Sequence, residues 1–524
     1  MQANLDQLRR MGVDVHPHIR NTAYDYCGGT PFDIQRTTVE LLTENQRAYV
    51  LNSMGTGKTK AALWAFDYLR RCGVAHSMLV VAPLSTLRFT WAREVFMTTP
   101  HLSTVILHNP NRKIRLKLLE QPADIYIVNH DGLKIIAPEI AKRTDIDVLC
   151  LDELATYRNR VQKSHLVESL AKLKPVVWGM TGAPMPRAPT DVWMQARIIT
   201  PHTVPKYWTS FQAETMLRIN QFRWVPKRGA MERAIAALQP NVRFTLDDIM
   251  ELPPFVTQRI DIEMGPHQKA VYKAVKDDCY TLLKEGSISA ANAGAVMVKL
   301  LQVSLGWVYM DDGTIKHLDN QQRNEMLINL IMGAEAKVLV FVPYVHALEG
   351  LKALLDSHEI ECELVSGATS PKERDRIFRE FQIGRNDDRP ELKALVAHPQ
   401  CMSHGNTFTE ANTIIWYGPI TSTEIYDQAN ARIRRVGQTR KQLFLHLQAT
   451  PTEKHIYELL TSHINVQDAL LQLIEDESRA QAKEDGNGAN GQWLAGEDDR
   501  QLHQAARQEG GVDREAQGRT QAVQ

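Results

Sequence analysis

Short apolar runs rich in β-branched residues recur along the first part of the chain, each bounded by polar or turn-forming residues. They are Ala48–Leu51, Met78–Ala82, Thr104–Leu107, Ile125–Val128, Val148–Leu151 and Val176–Trp178. Between many of them the apolar positions switch to helical spacing, as in Leu87–Phe96 and Leu166–Leu173. Near-continuous apolar strands alternating with helices predict a parallel sheet covered on both faces. A second series begins near Lys337: Val338–Val342, Cys362–Val365, Ala394–Ala397, Thr413–Tyr417 and Leu443–Leu447. Pro371–Phe381 between them reads as a charged helix, with Pro371 suited to its first turn. The pattern therefore predicts two α/β domains at about residues 30–200 and 320–475, after an N-terminal extension over 1–29. Residues 201–319 are expected to connect them. This segment is irregular over 201–250, with Arg223-Trp224-Val225-Pro226-Lys227-Arg228, and helical over 266–302. From residue 476 the chain is rich in Gln, Ala, Gly and acidic residues and poor in aromatics, which predicts a disordered acidic tail. Gln and Ala also favour a short terminal helix there.

In open parallel sheets chemistry gathers at the carboxyl ends of strands, and two such ends stand out. Met54-Gly55-Thr56-Gly57-Lys58-Thr59 follows the first apolar run and precedes Ala61-Ala62-Leu63-Trp64-Ala65, which reads as a helix. Strand, glycine loop and helix in that order place backbone N–H groups and the positive helix end around a triphosphate. Gly55, Thr56 and Gly57 would cradle the phosphates and Lys58 would reach the β- and γ-phosphates, with the Thr59 hydroxyl on Mg²⁺. Asn52 stands where the full pattern has glycine, and asparagine tolerates the left-handed backbone such a glycine would supply. The second end is Asp152-Glu153, after Val148–Leu151. Asp152 would complete the Mg²⁺ shell and Glu153 would polarise the attacking water. An acidic pair at a strand end also serves to cap a following helix. Thr181, in Thr181-Gly182-Ala183-Pro184 at a third strand end, is placed to sense the γ-phosphate; a plain strand-to-loop turn accounts for it equally well.

Late in the chain, Gln428–Gln438 carries Arg432 and Arg435 three residues apart, and so on one face of a helix, with Arg434 elsewhere. Paired guanidinium groups on one face suit a γ-phosphate whose charge is shifting. A solvated basic helix or a nucleic-acid contact face is the other reading of the same residues.

Composition narrows little. The 524 residues hold 61 basic and 61 acidic side chains, so net charge does not point to a polyanion, and a local basic groove stays open. The six cysteines (27, 72, 150, 279, 362 and 401) lack any C-x-x-C pair, which argues against zinc or a disulfide framework and for a reducing cytoplasm. Each is expected to be a small buried apolar residue. No signal peptide and no membrane-spanning run is evident.

Taken in order, these segments resemble the Swi/Snf-type branch of superfamily-two helicases and translocases, most closely the compact versions that bacteriophages encode. Phe32-Asp33-Ile34-Gln35 is similar to the family's adenine-reading motif, with Gln35 as the reader. Val80–Leu87 with Trp91 and Glu94 resembles a DNA-contacting motif. Asp152–Asn159 resembles the acidic motif, and Thr181–Pro184 the coupling motif. Leu252-Pro253-Pro254 with Gln268 and Tyr272 resembles the connecting segment. Ser366-Gly367, Arg374 and Phe381-Gln382 are similar to second-lobe motifs, and Gln428–Gln438 matches best. The chain departs at Leu154-Ala155, where the family has Ala-His, and at Ser403–Phe408, where Asn406 comes one place early. No counterpart of the large protrusions or chromatin-reading modules is visible.

The resemblance implies two RecA-like lobes in tandem, ATP and Mg²⁺ as cofactors, and an ATPase that moves along DNA, duplex favoured. Arg432 and Arg435 would complete the ATP site from the second lobe, with Thr181 and Gln428 coupling the lobes. Ser85, Thr86, His130, Lys134, Ser366 and Gly367 are the candidate nucleic-acid contacts, and a solvated loop is as good a reading of each. An RNA helicase and a nucleotide-switched scaffold without motor activity are the alternatives.

Overall fold

The computed structural model describes residues 10–11, 24–219, 224–249, 253–284, 290–309, 314–384, 390–402, 407–435 and 437–462. The expected tail, Leu252 and Ser403–Asn406 lie outside them, as does most of the N-terminal extension.

The first lobe carries β1 (Arg47–Val50), β2 (Ser77–Ala82), β3 (Thr104–Ile106), β4 (Ile125–Asn129), β5 (Ile146–Asp152) and β6 (Val176–Met180). A short hairpin follows, β7 (Met216–Arg218) with β8 (Trp224–Pro226), and then β9 (Asn241–Val242). Seven strands form one parallel sheet in the order β3-β4-β2-β5-β6-β1-β9. Every residue of β2 and β6 is buried, because helices cover both faces and water reaches neither. Val39, Trp64, Phe66 and Trp178 pack one face; Tyr49, Leu149, Ile136 and Phe211 pack the other.

The second lobe begins with β10 (Phe255–Asp261), followed by the hairpin β11 (Trp307–Tyr309) and β12 (Ile315–His317). It continues with β13 (Lys337–Phe341), β14 (Cys362–Val365), β15 (Ala394–Ala397), β16 (Ala411–Trp416) and β17 (Gln442–Gln448). Six of these strands make a second all-parallel sheet, β10-β17-β16-β13-β15-β14. Helix Pro371–Ile383 starts as expected: Pro371 occupies its first turn, and the Ser370 hydroxyl accepts from Glu373 N.

The expected connecting segment holds the helices Trp208–Thr215, Ala230–Ala237, Pro266–Lys284 and Ala290–Leu305, and it also gives each sheet an edge strand. β9 pairs with β1 through Tyr49↔Asn241 and Val50↔Val242, while β10 pairs with β17 along seven residues. Two residues are too few to show a period, so β9 left no trace in the hydrophobic pattern. Cys150 and Cys362 are buried as expected, but Cys72 is exposed and Cys27 and Cys401 lie between. No described helix is long and apolar enough to cross a membrane.

Candidate ATP site between two lobes

Strand register builds the first half of the site. Val50 and Asp152 both lie level with Met180, so β1, β6 and β5 end side by side. The glycine loop leaves β1 there, Thr181 follows β6, and Asp152 closes β5. Thr181 N donates to the Val50 carbonyl (3.0 Å) and tightens that edge. Gly55 and Gly57 have φ values of 82° and 79°, which side chains rarely adopt, and a Cβ on Gly57 would collide with the Gln35 amide. Helix Lys58–Arg71 begins at once, its N-terminus facing the loop. Lys58 Nζ donates to the carbonyls of Asn52 (2.8 Å) and Ser53 (3.0 Å), spanning the loop.

Asn52 works differently from the expectation. Among the described residues only Glu153 and Glu359 combine a side chain with positive φ, so Asn52 is not left-handed. Its buried side chain donates to Thr38 Oγ1 (3.1 Å) and accepts from Phe244 N (3.0 Å). Ser53 N donates to the Phe244 carbonyl (2.8 Å) beside it. The loop is thereby tied to the preceding helix Asp33–Glu44 and to the connector. Gln35, on that helix, accepts from Phe32 N (3.0 Å) and donates to the Thr56 carbonyl (3.3 Å).

Glu153 has φ 51° and ψ 55°, a left-handed conformation costly for a side-chain residue and common at functional sites. It turns Glu153 N back to Asp152 Oδ1 (3.1 Å), while Trp91 Nε1 donates to Asp152 Oδ2 (2.8 Å). Leu154, next in the chain, packs on Gly179, where a Cβ would lie 2.6 Å from its Cδ2. That close approach explains a glycine inside a strand. Burial raises the Asp152 carboxyl against the pull of the Trp91 bond and Lys58. Glu153 is pushed up to about 7 by burial and then by Asp152, with Lys58 and Arg432 opposing. Burial also lowers Lys58, although Glu153 and Asp152 favour its charge.

The second lobe supplies the rest. Helix Thr423–Asn430 ends before the arginines, so Arg432 and Arg435 stand in the turn after it and not on the helix face that their spacing suggested. Each folds back on that helix end: Arg432 Nε donates to the Gln428 carbonyl and Arg435 Nε to that of Ala431, both at 2.9 Å. These carbonyls are among those a helix end leaves without partners. Both side chains still meet the first lobe, Arg432 through its guanidinium and Arg435 through its stem. Arg432 Nη2 lies 3.7 Å from Met54 Sδ, and the Arg435 stem would lie 3.6 Å from a Cβ on Gly55. Burial and then the neighbouring Arg435 lower Arg432; burial alone lowers Arg435 to about 10, so Arg435 stays charged at neutral pH. Gln428 is buried and donates to Glu424 (3.4 Å), which in turn lies 3.9 Å from Arg158 of the first lobe. Arg434 points elsewhere, over the Phe255 ring, into a cavity of about 470 Å³ shared by both lobes.

Of the candidate nucleic-acid residues, Ser85 lines a second cleft between the lobes, about 410 Å³, with Pro83, Arg88, Arg374 and Phe378. The others do not line it. Thr86 is buried and its hydroxyl donates to the Pro83 carbonyl (2.9 Å). His130 packs edge-on against Tyr157 and shares a 2.7 Å hydrogen bond with its hydroxyl. Lys134 is exposed, the Ser366 hydroxyl accepts from Ala368 N (3.2 Å), and Gly367 faces open space. Trp91, quoted within the DNA-contacting motif, is fully buried. The bonds of Asn52 and Trp91 join residues far apart in sequence, and no local pattern signals them.

A phosphate loop and an acidic strand end on one parallel sheet, with two arginines brought to them from a second, define a two-lobed nucleoside triphosphatase of the helicase type. The profile described as SNF2-related domain matches residues 35–305, just over half of the chain, and the helicase conserved C-terminal domain matches residues 322–437. The chain belongs to the SNF2-related family and is a nucleic-acid-dependent ATPase. It is similar to protein p41 of Acyrthosiphon pisum secondary endosymbiont phage 1, 25% identical over 474 residues, covering 85% of this chain and 99% of p41. It is also similar to the human DNA annealing helicase and endonuclease ZRANB3, 22% identical over 417 residues, or 76% of this chain and 36% of that protein. The chain thus spans nearly all of the phage relative and about a third of the human one. Among solved structures, S. cerevisiae Dbp5 bound to RNA and ADP BeF3 shares the fold: TM-score 0.50, 12% identity, covering 85% of this chain and 93% of that one.

Proposed function

We propose that the protein is a motor that couples ATP hydrolysis to movement along duplex DNA. One observation carries this reading: from the second lobe, Arg432 lies beside Met54 of the glycine loop and near Glu153 of the first lobe, while the Arg435 stem lies over Gly55. A site split between two lobes is complete only when they close, so each turnover can open and close them. Arg432 and Arg435 would stabilise charge on the γ-phosphate, and Glu153 would orient and polarise water. Thr181, at the strand end beside the loop, would report the γ-phosphate, and Gln428 would carry the change into the second lobe.

The Asp152 carboxylate and the Thr59 hydroxyl offer the hard oxygen donors that Mg²⁺ takes, and no described group of three or more His, Cys, Asp or Glu side chains offers another metal site. Bound there, Mg²⁺ would neutralise charge developing on the phosphates.

DNA as the track agrees with family membership and with ZRANB3, a relative named for DNA. The same reading places the protein in a cytoplasm where DNA and ATP meet. Turnover measured with duplex DNA, single-stranded DNA, RNA and no nucleic acid tests it. Duplex DNA should stimulate most. Stimulation by RNA alone would make the protein an RNA helicase, and ATP binding without turnover would make it a nucleotide-switched scaffold.

A further inference from the structure

Asp152 is gripped by a residue from a different part of the fold. Trp91 lies on a one-turn π-helix, Leu87–Ala92, that follows β2 and leads into helix Arg93–Thr98. Its ring is fully buried in the core with Leu87, Val95 and Cys150. The indole N–H, a donor only, points out of that core at Asp152 Oδ2, 2.8 Å away. Glu153 N holds Oδ1, so each carboxylate oxygen has one fixed donor and the carboxylate plane is set from two sides. A π-turn inserts a residue into a helix and re-aims the side chains around it, and such turns concentrate at functional sites. Here it brings a large buried ring to the end of β5. Outer donors of this kind orient a metal-holding carboxylate, and their loss typically lowers metal affinity 10- to 100-fold. The start of the same π-helix, Leu87 and Arg88, lines the second cleft between the lobes.

We propose that Trp91 is a positioning residue for the ATPase: its N–H holds Asp152 in the orientation that receives Mg²⁺. The proposal rests on the reading of Asp152 as the metal carboxylate. It is tested on the full chain by the Mg²⁺ dependence of fluorescent ADP binding, read by anisotropy without nucleic acid. Trp91→Phe keeps most of the buried ring and removes the N–H. The half-saturating Mg²⁺ concentration should rise about tenfold or more, while ADP binding in EDTA stays as in the wild type. Site-specific replacement of Trp91 by benzothienylalanine changes only the N–H into sulfur and covers the case in which Trp91→Phe does not fold; it should give the same shift. An unshifted Mg²⁺ midpoint in a folded variant would overturn the role of Trp91. Equal loss of ADP binding with and without Mg²⁺ would also overturn it, since a packing defect produces that result. A wild-type protein whose ADP binding ignores Mg²⁺ would instead remove the reading of Asp152 beneath it.

Discussion

At the scale of single residues, Glu153 is where chemistry and backbone conflict. Its left-handed backbone costs about 1–2 kcal/mol for a residue with a Cβ, and burial beside Asp152 disfavours its charge. Two substitutions separate these costs. Glu153→Gln should leave ATP binding intact and lower turnover by about 10²-fold or more; a variant that keeps its turnover rate would show that another group polarises the water. Glu153→Gly removes the same charge and also relaxes the backbone. It should therefore melt above Glu153→Gln, by an amount equal to about 1 kcal/mol. Equal melting temperatures would mean that the backbone stores no strain. Asn52 makes the opposite case, a motif departure that stabilises. Asn52→Ala loses two hydrogen bonds, one buried and one partly buried, and leaves Phe244 N without its partner. A loss of about 2–3 kcal/mol in denaturant unfolding is expected.

At the scale of elements, β17 buries a titratable ring. His446 is fully buried, stacks on Tyr457 at 4.2 Å and shares a 2.9 Å hydrogen bond with the Tyr426 hydroxyl. Burial lowers its pKa to about 3, so folded His446 stays neutral where an unfolded histidine, near 6.5, takes up a proton. The unfolded state then binds more protons, and stability falls as pH drops through about 6.5 toward 3, by up to about 1.4 kcal/mol per unit for this group. His446→Gln should flatten that part of the stability–pH curve; an unchanged slope would assign the acid sensitivity to other groups. Elements also mark what the sequence made legible. β2, β5, β6, β13, β15 and β16 were readable because parallel strands buried on both faces are written as unbroken apolar runs. The phosphate loop was readable because strand, glycines and helix are contiguous. The turn holding Arg432 and Arg435 was not, since a three-residue spacing fits a helix until the helix ends at Asn430. β9 and the Trp91–Asp152 bond were invisible for a related reason: one is too short for a period, and the other joins residues 61 apart.

At the scale of the whole molecule, zero net charge requires any grip on DNA to come from local basic surface. Such a grip releases counterions, so log Kd for duplex DNA should change with log salt by about 0.9 for each phosphate held. Titration of duplex binding between about 50 and 200 mM salt measures the slope, and a flat line would sink the DNA-track reading. ATP binding without DNA should change far less, because Lys58 and the carboxylates are shielded from screening by burial. The connector has a consequence for dissecting the chain. One thread of about 20 residues gives its first strand to the sheet that holds the phosphate loop and its next to the sheet that carries the arginines. A gene cut near residue 200 would leave β1 with a bare edge and Asn52 without Phe244; a cut near residue 320 would strip β17 of β10 and leave that edge bare. Only a break between Thr245 and Phe255 lets each half inherit its complete sheet, and two polypeptides divided there are the pair to test for reassembly into a working enzyme.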